Sequence, residues 1–194
     1  MILAYPANAA LTQIILFNKP YGIICQFSES GLKPTLKRYI PLPDFYACGR
    51  LDVDSEGLLL LTNDGQLQAR VANPRYQFPK TYWAQVEGVP DRAALDALGR
   101  GLDLGDFVSR PAKARLMAEP LQLWPRDPPI RWRKATPTSW LEVTLTEGKN
   151  RQVRRMTAKI GYPTLRLVRW CVGPWSVAGL APGEWRLQSS DPVL

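Results

Sequence analysis

Residues 49–57 hold the side chains most suited to chemistry, with three carboxylates and an arginine between two glycines. These four side chains are Arg50, Asp52, Asp54 and Glu56. A carboxylate can act as a nucleophile, and converging carboxylates can hold divalent metal ions. The chain contains no histidine, which excludes Ser-His-Asp and Cys-His catalysis and any histidine-ligated metal. The alternative is a surface loop whose carboxylates are solvated, as most charged side chains are.

Four consecutive leucines, residues 58–61, follow this acidic loop directly. A short apolar run bounded by turn residues indicates a strand buried on both faces. The run is too short to span a membrane. Such a strand would hold the acidic loop rigidly at its end, where a catalytic group has to be.

Periodicity and turn residues predict strands and helices without the regular alternation of a parallel βαβ protein. The predicted strands are 13–17, 45–48, 58–61, 80–87, 111–118, 140–146, 165–172 and 184–187, and the predicted helices are 35–39, 66–72, 91–98 and 151–160. Asp64 and Asn150 are the predicted N-caps of the second and fourth helices, and Gly161 should follow the fourth. We therefore predict an α+β fold with a mixed, largely antiparallel sheet and flanking helices.

Positive charge is concentrated in one block of the chain. The net charge is +8, and residues 108–170 carry 14 Lys/Arg against 4 Asp/Glu. This asymmetry is typical of proteins that bind a polyanion, most often nucleic acid, although positive charge also serves solubility. Cys25, Cys48 and Cys171 lack metal-site spacing, and the N-terminal residues lack the charged region of a secretory signal. Free thiols in a reducing cytoplasm are therefore expected.

Residues 119–138 are predicted to form a stiff, protruding loop, because five prolines interrupt the segment. The loop also contains Trp124, Arg126, Arg131, Trp132 and Arg133. Tryptophan and arginine side chains are suited to stacking on unpaired bases. The alternative is that the tryptophans fold back onto the core.

Three arginines, Arg151, Arg154 and Arg155, lie near the start of the last predicted helix. Cations are unfavourable near a helix N-terminus, and Arg151 and Arg155 repel each other at a spacing of four residues. We therefore expect a compensating anion there, either a carboxylate of the protein or a phosphate.

Four motifs in the same order resemble those of RNA pseudouridine synthases, in the branch that includes the small-subunit rRNA enzyme. Residues 49–65 resemble the catalytic motif, residues 18–22 the first motif, residues 80–82 the lysine–x–tyrosine motif and residues 147–156 the third motif. The resemblance covers about residues 13–188. It implies one catalytic domain over residues 11–190, built of two closely packed halves with the catalytic cleft between them and the basic 119–138 loop attached.

The resemblance also implies roles for individual residues. Asp52 would be the nucleophile, attacking C1′ of the ribose or C6 of the uracil, before the uracil turns and its C5 bonds to C1′. Tyr82 would stack on the base and help remove the C5 proton, while Arg154 would pair with Asp52. Arg50 would enter the space left by the flipped uridine. The candidate RNA contacts are Lys19, Lys80, Arg151, Arg155, Trp124, Arg126, Arg131, Trp132 and Arg133.

Segments 123–131 and 137–141 resemble the E type of large-subunit rRNA pseudouridine synthases. This implies 23S rRNA as the substrate, free or in an assembling large subunit, at a uridine near the peptidyl-transferase centre. It also implies no metal, no nucleotide cofactor and no membrane partner. Many relatives carry an N-terminal S4 RNA-binding domain, for which the residues before 18 leave no room. We therefore expect a monomeric cytoplasmic catalytic domain that recognises RNA by itself.

The residues alone leave other functions open. A metal-dependent nuclease would use convergent carboxylates, namely Asp52, Asp54, Glu56 and Asp64. A glycosidase would use a pair of them, and a non-catalytic rRNA-binding or ribosome-assembly module would need only the basic block. If the chain is a pseudouridine synthase, Asp54 and Glu56 are supporting or solvated. Lys19 and Lys80 then either contact phosphate or buttress the pocket.

Overall fold

The computed structural model describes residues 12–29, 31–131 and 136–189. Its strands are Gln13–Lys19 (β1), Tyr46–Ala47 (β2), Glu56–Thr62 (β3), Lys80–Glu87 (β4), Lys113–Met117 (β5), Thr138–Leu145 (β6), Thr164–Val172 (β7), Trp175–Ser176 (β8) and Trp185–Ser189 (β9). Its α-helices are Gly65–Ala72 (α1), Arg92–Arg100 (α2) and Gln152–Lys159 (α3), and 3-10 turns span Leu36–Arg38 and Pro74–Tyr76. The predicted elements are confirmed with ends within two residues, and the sequence missed β8 and the second 3-10 turn.

The strands form one continuous sheet in the order β5, β6, β4, β7, β3, β1, β9, with β2 beside β3 and β8 beside β7. Of the strand pairs in the described residues, β3 with β7 is parallel and the others are antiparallel. This confirms the predicted mixed, largely antiparallel α+β architecture.

Strand β3 is buried at all seven residues, as predicted for the leucine run. Its side chains alternate between two apolar layers, because successive residues of a strand point to opposite faces. Leu58 and Leu60 join one buried cluster, and Leu59 and Leu61 join another. The strand therefore anchors the acidic loop to two parts of the core at once.

Local capping explains where α1 begins, and corrects the prediction for α3. The Asp64 side chain accepts hydrogen bonds from the backbone N–H groups of Gln66 and Leu67, so the predicted N-cap is confirmed. The N-cap of α3 is Arg151 rather than Asn150. Arg151 adopts the left-handed region, with φ of 47°, and moves the helix start one residue along. Gly161, with φ of 91°, follows the helix end as predicted.

The two halves of the sheet meet where β7 lies between β3 and β4. Register pairs Gly57 of β3 and Tyr82 of β4 with the same residue, Arg169 of β7. A Cβ atom on Gly57 would lie 2.4 Å from the carbonyl oxygen of Arg169, so only glycine permits this close approach. The acidic loop is thereby held directly beside the second half.

The α-helices of the described residues are at most nine residues long. None is long and apolar enough to cross a membrane.

Candidate active site

A cleft of about 270 Å³ opens at the junction of the two halves. Residues 48–52 of the acidic loop line one side, and residues 148–153 of the β6–α3 turn line another. The floor is made by Lys80 and Tyr82 of β4 and Arg169 of β7. This agrees with the cleft predicted between two halves.

Asp52 lies at the mouth of this cleft with 36% of its side chain exposed, while Tyr82 is buried in its floor. The nearest cation to Asp52 is Arg151, whose Nη1 lies 3.9 Å from Oδ2. An accessible carboxylate at the mouth of a cleft can attack an electrophile that enters it. The structure thus brings the predicted nucleophile and the predicted stacking residue into one cavity.

The pairing of Arg154 with Asp52 stays a prediction, because the closest acidic contact of Arg154 is with Asp54. Arg154 Nη2 donates to the Asp54 carbonyl at 2.7 Å, and its Nε lies 3.5 Å from the Asp54 carboxylate. Arg151 holds the same carboxylate bidentately, at 3.0 and 2.8 Å. Because Arg151 directly precedes the helix and Arg154 lies nearly one turn further on, it is Arg151 that also comes within ion-pair distance of Asp52.

Asp54 is consequently a supporting residue, one of the two roles predicted for it. Burial alone would raise the pKa of its carboxyl, but the hydrogen bonds from Arg151 and the charge of Arg154 outweigh burial and lower that pKa. The same hydrogen bonds raise the pKa of Arg151, whereas burial lowers the pKa of Arg154. Asp54 thus fixes both guanidinium groups beside Asp52.

Arg155 binds a different carboxylate, that of Asp106, and also donates to the Leu104 carbonyl at 2.8 Å. Asp54 and Asp106 together supply the anions expected beside the arginines of α3. The expectation of compensating carboxylates from the protein is therefore confirmed.

The two candidate lysines have different surroundings. Lys19 is completely buried, and its Nζ donates to the carbonyls of Pro20 and Ile23 at 2.8 and 3.0 Å. It has no access to an RNA phosphate, so its assignment as an RNA contact is wrong and it serves as a buttress. Lys80 lines the cleft and donates to the Phe78 carbonyl at 3.0 Å. Burial lowers the pKa of each lysine to about 8.

Trp124 folds back onto the core. This is the alternative to the predicted role of Trp124 in stacking on bases. Its indole packs against a buried cluster, and its Nε1 donates to Glu56 Oε1 at 2.9 Å. The buried carboxylate of Glu56 also accepts two hydrogen bonds of 2.9 Å from Arg166, which is itself buried. Arg166 donates further to the Trp124 carbonyl at 2.9 Å. Glu56 is therefore a supporting residue that ties the proline-rich loop to the end of the acidic loop.

Arg126 braces the same loop, because it donates to the carbonyls of Pro128 and Pro129. Its guanidinium also lies 4.6 Å from the ring centroid of Tyr21. Arg50 is exposed at the cleft, and Arg131 is exposed in the loop. The predicted contacts Trp132 and Arg133 lie outside the described residues.

Sequence reasoning missed Arg166 and Arg169 as site residues. The available signal was two arginines inside an otherwise apolar predicted strand, since charged residues are buried only when they have partners. Their partners Glu56 and Leu58, however, are more than 100 residues away along the chain.

The four carboxylates required by a nuclease do not converge. Strand β3 separates Glu56 from Asp64, and at about 3.3 Å per residue this separation is roughly 20 Å. Glu56 is occupied by Arg166, and Asp64 caps α1. Among the residues that the structure describes, no group of three potential metal ligands is clustered. The structure thus gives the nuclease hypothesis no support.

An α+β fold with a carboxylate, a tyrosine and basic side chains in one cleft defines an enzyme domain suited to a flipped nucleotide base. Residues 13–159 match the family described as RNA pseudouridylate synthase. The chain belongs to this family.

Its relatives include a ribosomal large subunit pseudouridine synthase E from Xanthomonas campestris, 55% identical over 93% of this chain and 97% of the relative. A protein of the same name from Vibrio vulnificus is 53% identical over 92% of this chain and 76% of the relative. A crystal structure of a pseudouridylate synthase superposes with a TM-score of 0.76 at 28% identity, covering 92% of this chain and 70% of the other.

Proposed function

We propose that this protein isomerises a uridine of large-subunit (23S) rRNA to pseudouridine, with Asp52 as the nucleophile. The observation that carries the proposal is the cleft shared by Asp52 and Tyr82. The names of its relatives, which refer to the large ribosomal subunit, support the substrate class. On the resemblance of segments 123–131 and 137–141 to the E type, the proposed target is a uridine near the peptidyl-transferase centre.

Asp52 attacks C1′ of the target ribose, and the N-glycosidic bond breaks. The uracil then turns in the cleft, its C5 bonds to C1′, and the C5 proton is lost. An alternative first step is attack on C6 of the uracil. In either route Arg151 places positive charge beside the Asp52 carboxylate, because its Nη1 lies 3.9 Å from Oδ2.

The target base has to leave the RNA stack before it can reach this cleft. Tyr82 supplies an aromatic face in the cleft floor, suited to stacking on the flipped uracil. Arg50 is exposed at the same opening and is available to fill the vacated position in the RNA.

The RNA backbone is held by positive charge around the cleft, and phosphate contacts supply most of such affinity. Arg131 and Arg151 are the accessible candidates, and Arg155 contributes through its exposed part. Trp132 and Arg133 stay proposed contacts on the strength of the sequence. The protein acts as a monomer on free rRNA or on an assembling large subunit.

The reaction takes place in the cytoplasm. Cys25, Cys48 and Cys171 are free thiols, which suits a reducing compartment.

Release of tritium from [5-³H]uridine-labelled 23S rRNA tests the activity, with EDTA present to exclude a metal requirement. A 16S rRNA transcript is the matched control for substrate choice. We expect release from 23S rRNA alone, and mapping of the product identifies the uridine. Binding to 23S rRNA without release, on free rRNA and on ribosomal particles, would instead favour the non-catalytic assembly module.

A further inference from the structure

The cleft floor contains two buried cations, Lys80 and Arg169, whose exposed fractions are 7% and 3%. Arg169 is the cross-strand partner of Tyr82, and Lys80 lies two residues before Tyr82 on the same face of β4. The register is irregular between Thr81 and Tyr82, but Lys80, Tyr82 and Arg169 all line the same cleft. The tyrosine proposed to carry the uracil is therefore flanked by two positive charges.

Neither cation has an acidic partner within ion-pair distance among the residues that the structure describes. Arg169 Nε donates to the Leu58 carbonyl at 2.7 Å, and Nη1 donates to the Arg50 carbonyl at 3.5 Å. Lys80 binds the Phe78 carbonyl alone. The Arg169 guanidinium thus bonds to backbone carbonyls through Nε and Nη1.

A buried charge without a counter-ion is costly. Burial of Lys80 and the neighbouring charge of Arg169 lower the pKa of Lys80 to about 8. An incoming group that becomes negative during the reaction would relieve this cost. Positive charges that are already in place stabilise a negatively charged transition state more than the neutral ground state.

The uracil becomes such a group. When the Asp52 oxygen bonds to C1′, the C1′–N1 bond breaks, its electron pair stays on the uracil, and the charge spreads to O2 and O4. C5 later bonds to C1′ as the Asp52 ester opens to the carboxylate; C5 then loses its proton, and N1 gains one. If Asp52 instead adds to C6, the displaced electron pair becomes an enolate that includes O4.

On the basis of the proposed function, we infer that Arg169 and Lys80 are catalytic residues that bind the carbonyl oxygens of the uracil while it is anionic. The close packing at Gly57 fixes the backbone of Arg169, and the hydrogen bond to the Leu58 carbonyl fixes its guanidinium, before substrate arrives. Preorganised donors of this kind lower a barrier without reorganisation. A phosphate of the target nucleotide is the other anion that these side chains could bind, and the experiment separates the two.

The experiment compares uridine with 5-fluorouridine at the target position, under single turnover with saturating enzyme. Fluorine makes the base more acidic, so its anion needs less stabilisation by the protein. With 5-fluorouridine, C5 bonds to C1′ but carries fluorine and has no proton to lose, so the C5-linked product adds water across C6 and N1 instead. Formation of the C5-linked nucleoside, as pseudouridine or as this fluorinated hydrate, is measured by nuclease digestion and chromatography with mass spectrometry. The variants are Lys80→Met and Arg169→Gln, and Lys19→Met is a matched loss of a buried lysine outside the cleft lining. Circular dichroism verifies that each variant folds.

We expect each cleft variant to lose about 100-fold in rate on uridine, as for removal of one oxyanion donor. The loss should be at least several-fold smaller on 5-fluorouridine, whereas Lys19→Met should affect both bases equally. If Arg169→Gln does not fold, Lys80→Met alone decides the matter. Equal losses on both bases, or weaker RNA binding at an unchanged rate, would overturn the inference in favour of phosphate binding. A wild type inactive on uridine would instead refute the proposed function.

Discussion

Replacing Arg166 with methionine should destabilise the protein strongly. Arg166 and Glu56 form a buried ion pair with 8% and 3% of their side chains exposed, and Arg166 Nε lies 2.9 Å from Glu56 Oε2. Removing one partner of a buried pair leaves an uncompensated charge and costs about 3–5 kcal/mol. The hydrogen bond from Arg166 to the Trp124 carbonyl is lost as well.

This cost translates into a large thermal shift. A domain of this size loses roughly 2–4 °C in melting temperature per kcal/mol, so the variant should melt about 6–20 °C below the wild type. Urea unfolding followed by tryptophan fluorescence gives the free energy of unfolding directly.

Two controls isolate the pair. Arg92→Met removes an exposed ion pair with Asp96, whose side chains are 87% and 44% exposed, and should cost no more than about 1 kcal/mol. The double variant Glu56→Gln/Arg166→Met removes both charges and should recover part of the lost stability. A loss below about 1 kcal/mol for Arg166→Met alone would show that this pair does not anchor the loop.

Three further predictions concern RNA binding, backbone strain and pH. Arg131→Ala should weaken RNA binding and reduce the magnitude of the slope of log K against log salt by about 0.7–0.9. Filter binding at several salt concentrations measures the slope. An unchanged slope would show that Arg131 does not contact the RNA. Gly57→Ala should lower the free energy of unfolding in urea more than Gly49→Ala. Both glycines have positive φ, so each substitution costs roughly 1–3 kcal/mol in backbone strain, but of the two only Gly57 has backbone atoms in contact with an added Cβ. Equal losses would contradict the close packing at Gly57. Burial lowers the pKa of Lys19 and of Lys80 from 10.5 to about 8. Between pH 8 and pH 10.5, each lysine therefore binds fewer protons in the folded state than in the unfolded state. Stability should therefore rise from pH 7 to 9 by about 1 kcal/mol per lysine, and urea unfolding that shows a fall would refute this sign.

Much of the secondary structure could be predicted from short segments of the sequence. The leucine run predicted β3, and the Asp64 cap predicted α1, because both depend on neighbouring residues. The predicted start of α3 lies one residue early, because Arg151 adopts the left-handed region; its side chain makes long-range bonds to Asp54 that the sequence does not reveal.

The site was less predictable where charges meet across the chain. The resemblance to the family motifs predicts Asp52 and Tyr82 as site residues, but it does not tell which arginine comes within ion-pair distance of Asp52, because that depends on how α3 packs. The burial of Lys19 and Trp124 likewise follows from tertiary packing. The domain limits 11–190 stay a prediction, as both positions lie outside the described residues.

The nucleophile is tested most directly by mapping pseudouridine in an unmodified 23S rRNA transcript after incubation with wild type, Asp52→Asn or Asp96→Asn. Asp96 is a surface carboxylate that pairs with Arg92 and does not line the cleft. The account predicts pseudouridine at one uridine for the wild type and Asp96→Asn, and none for Asp52→Asn at unchanged RNA affinity. Pseudouridine formed by the Asp52→Asn protein would contradict the account, because this variant has no carboxylate at position 52 to act as the nucleophile.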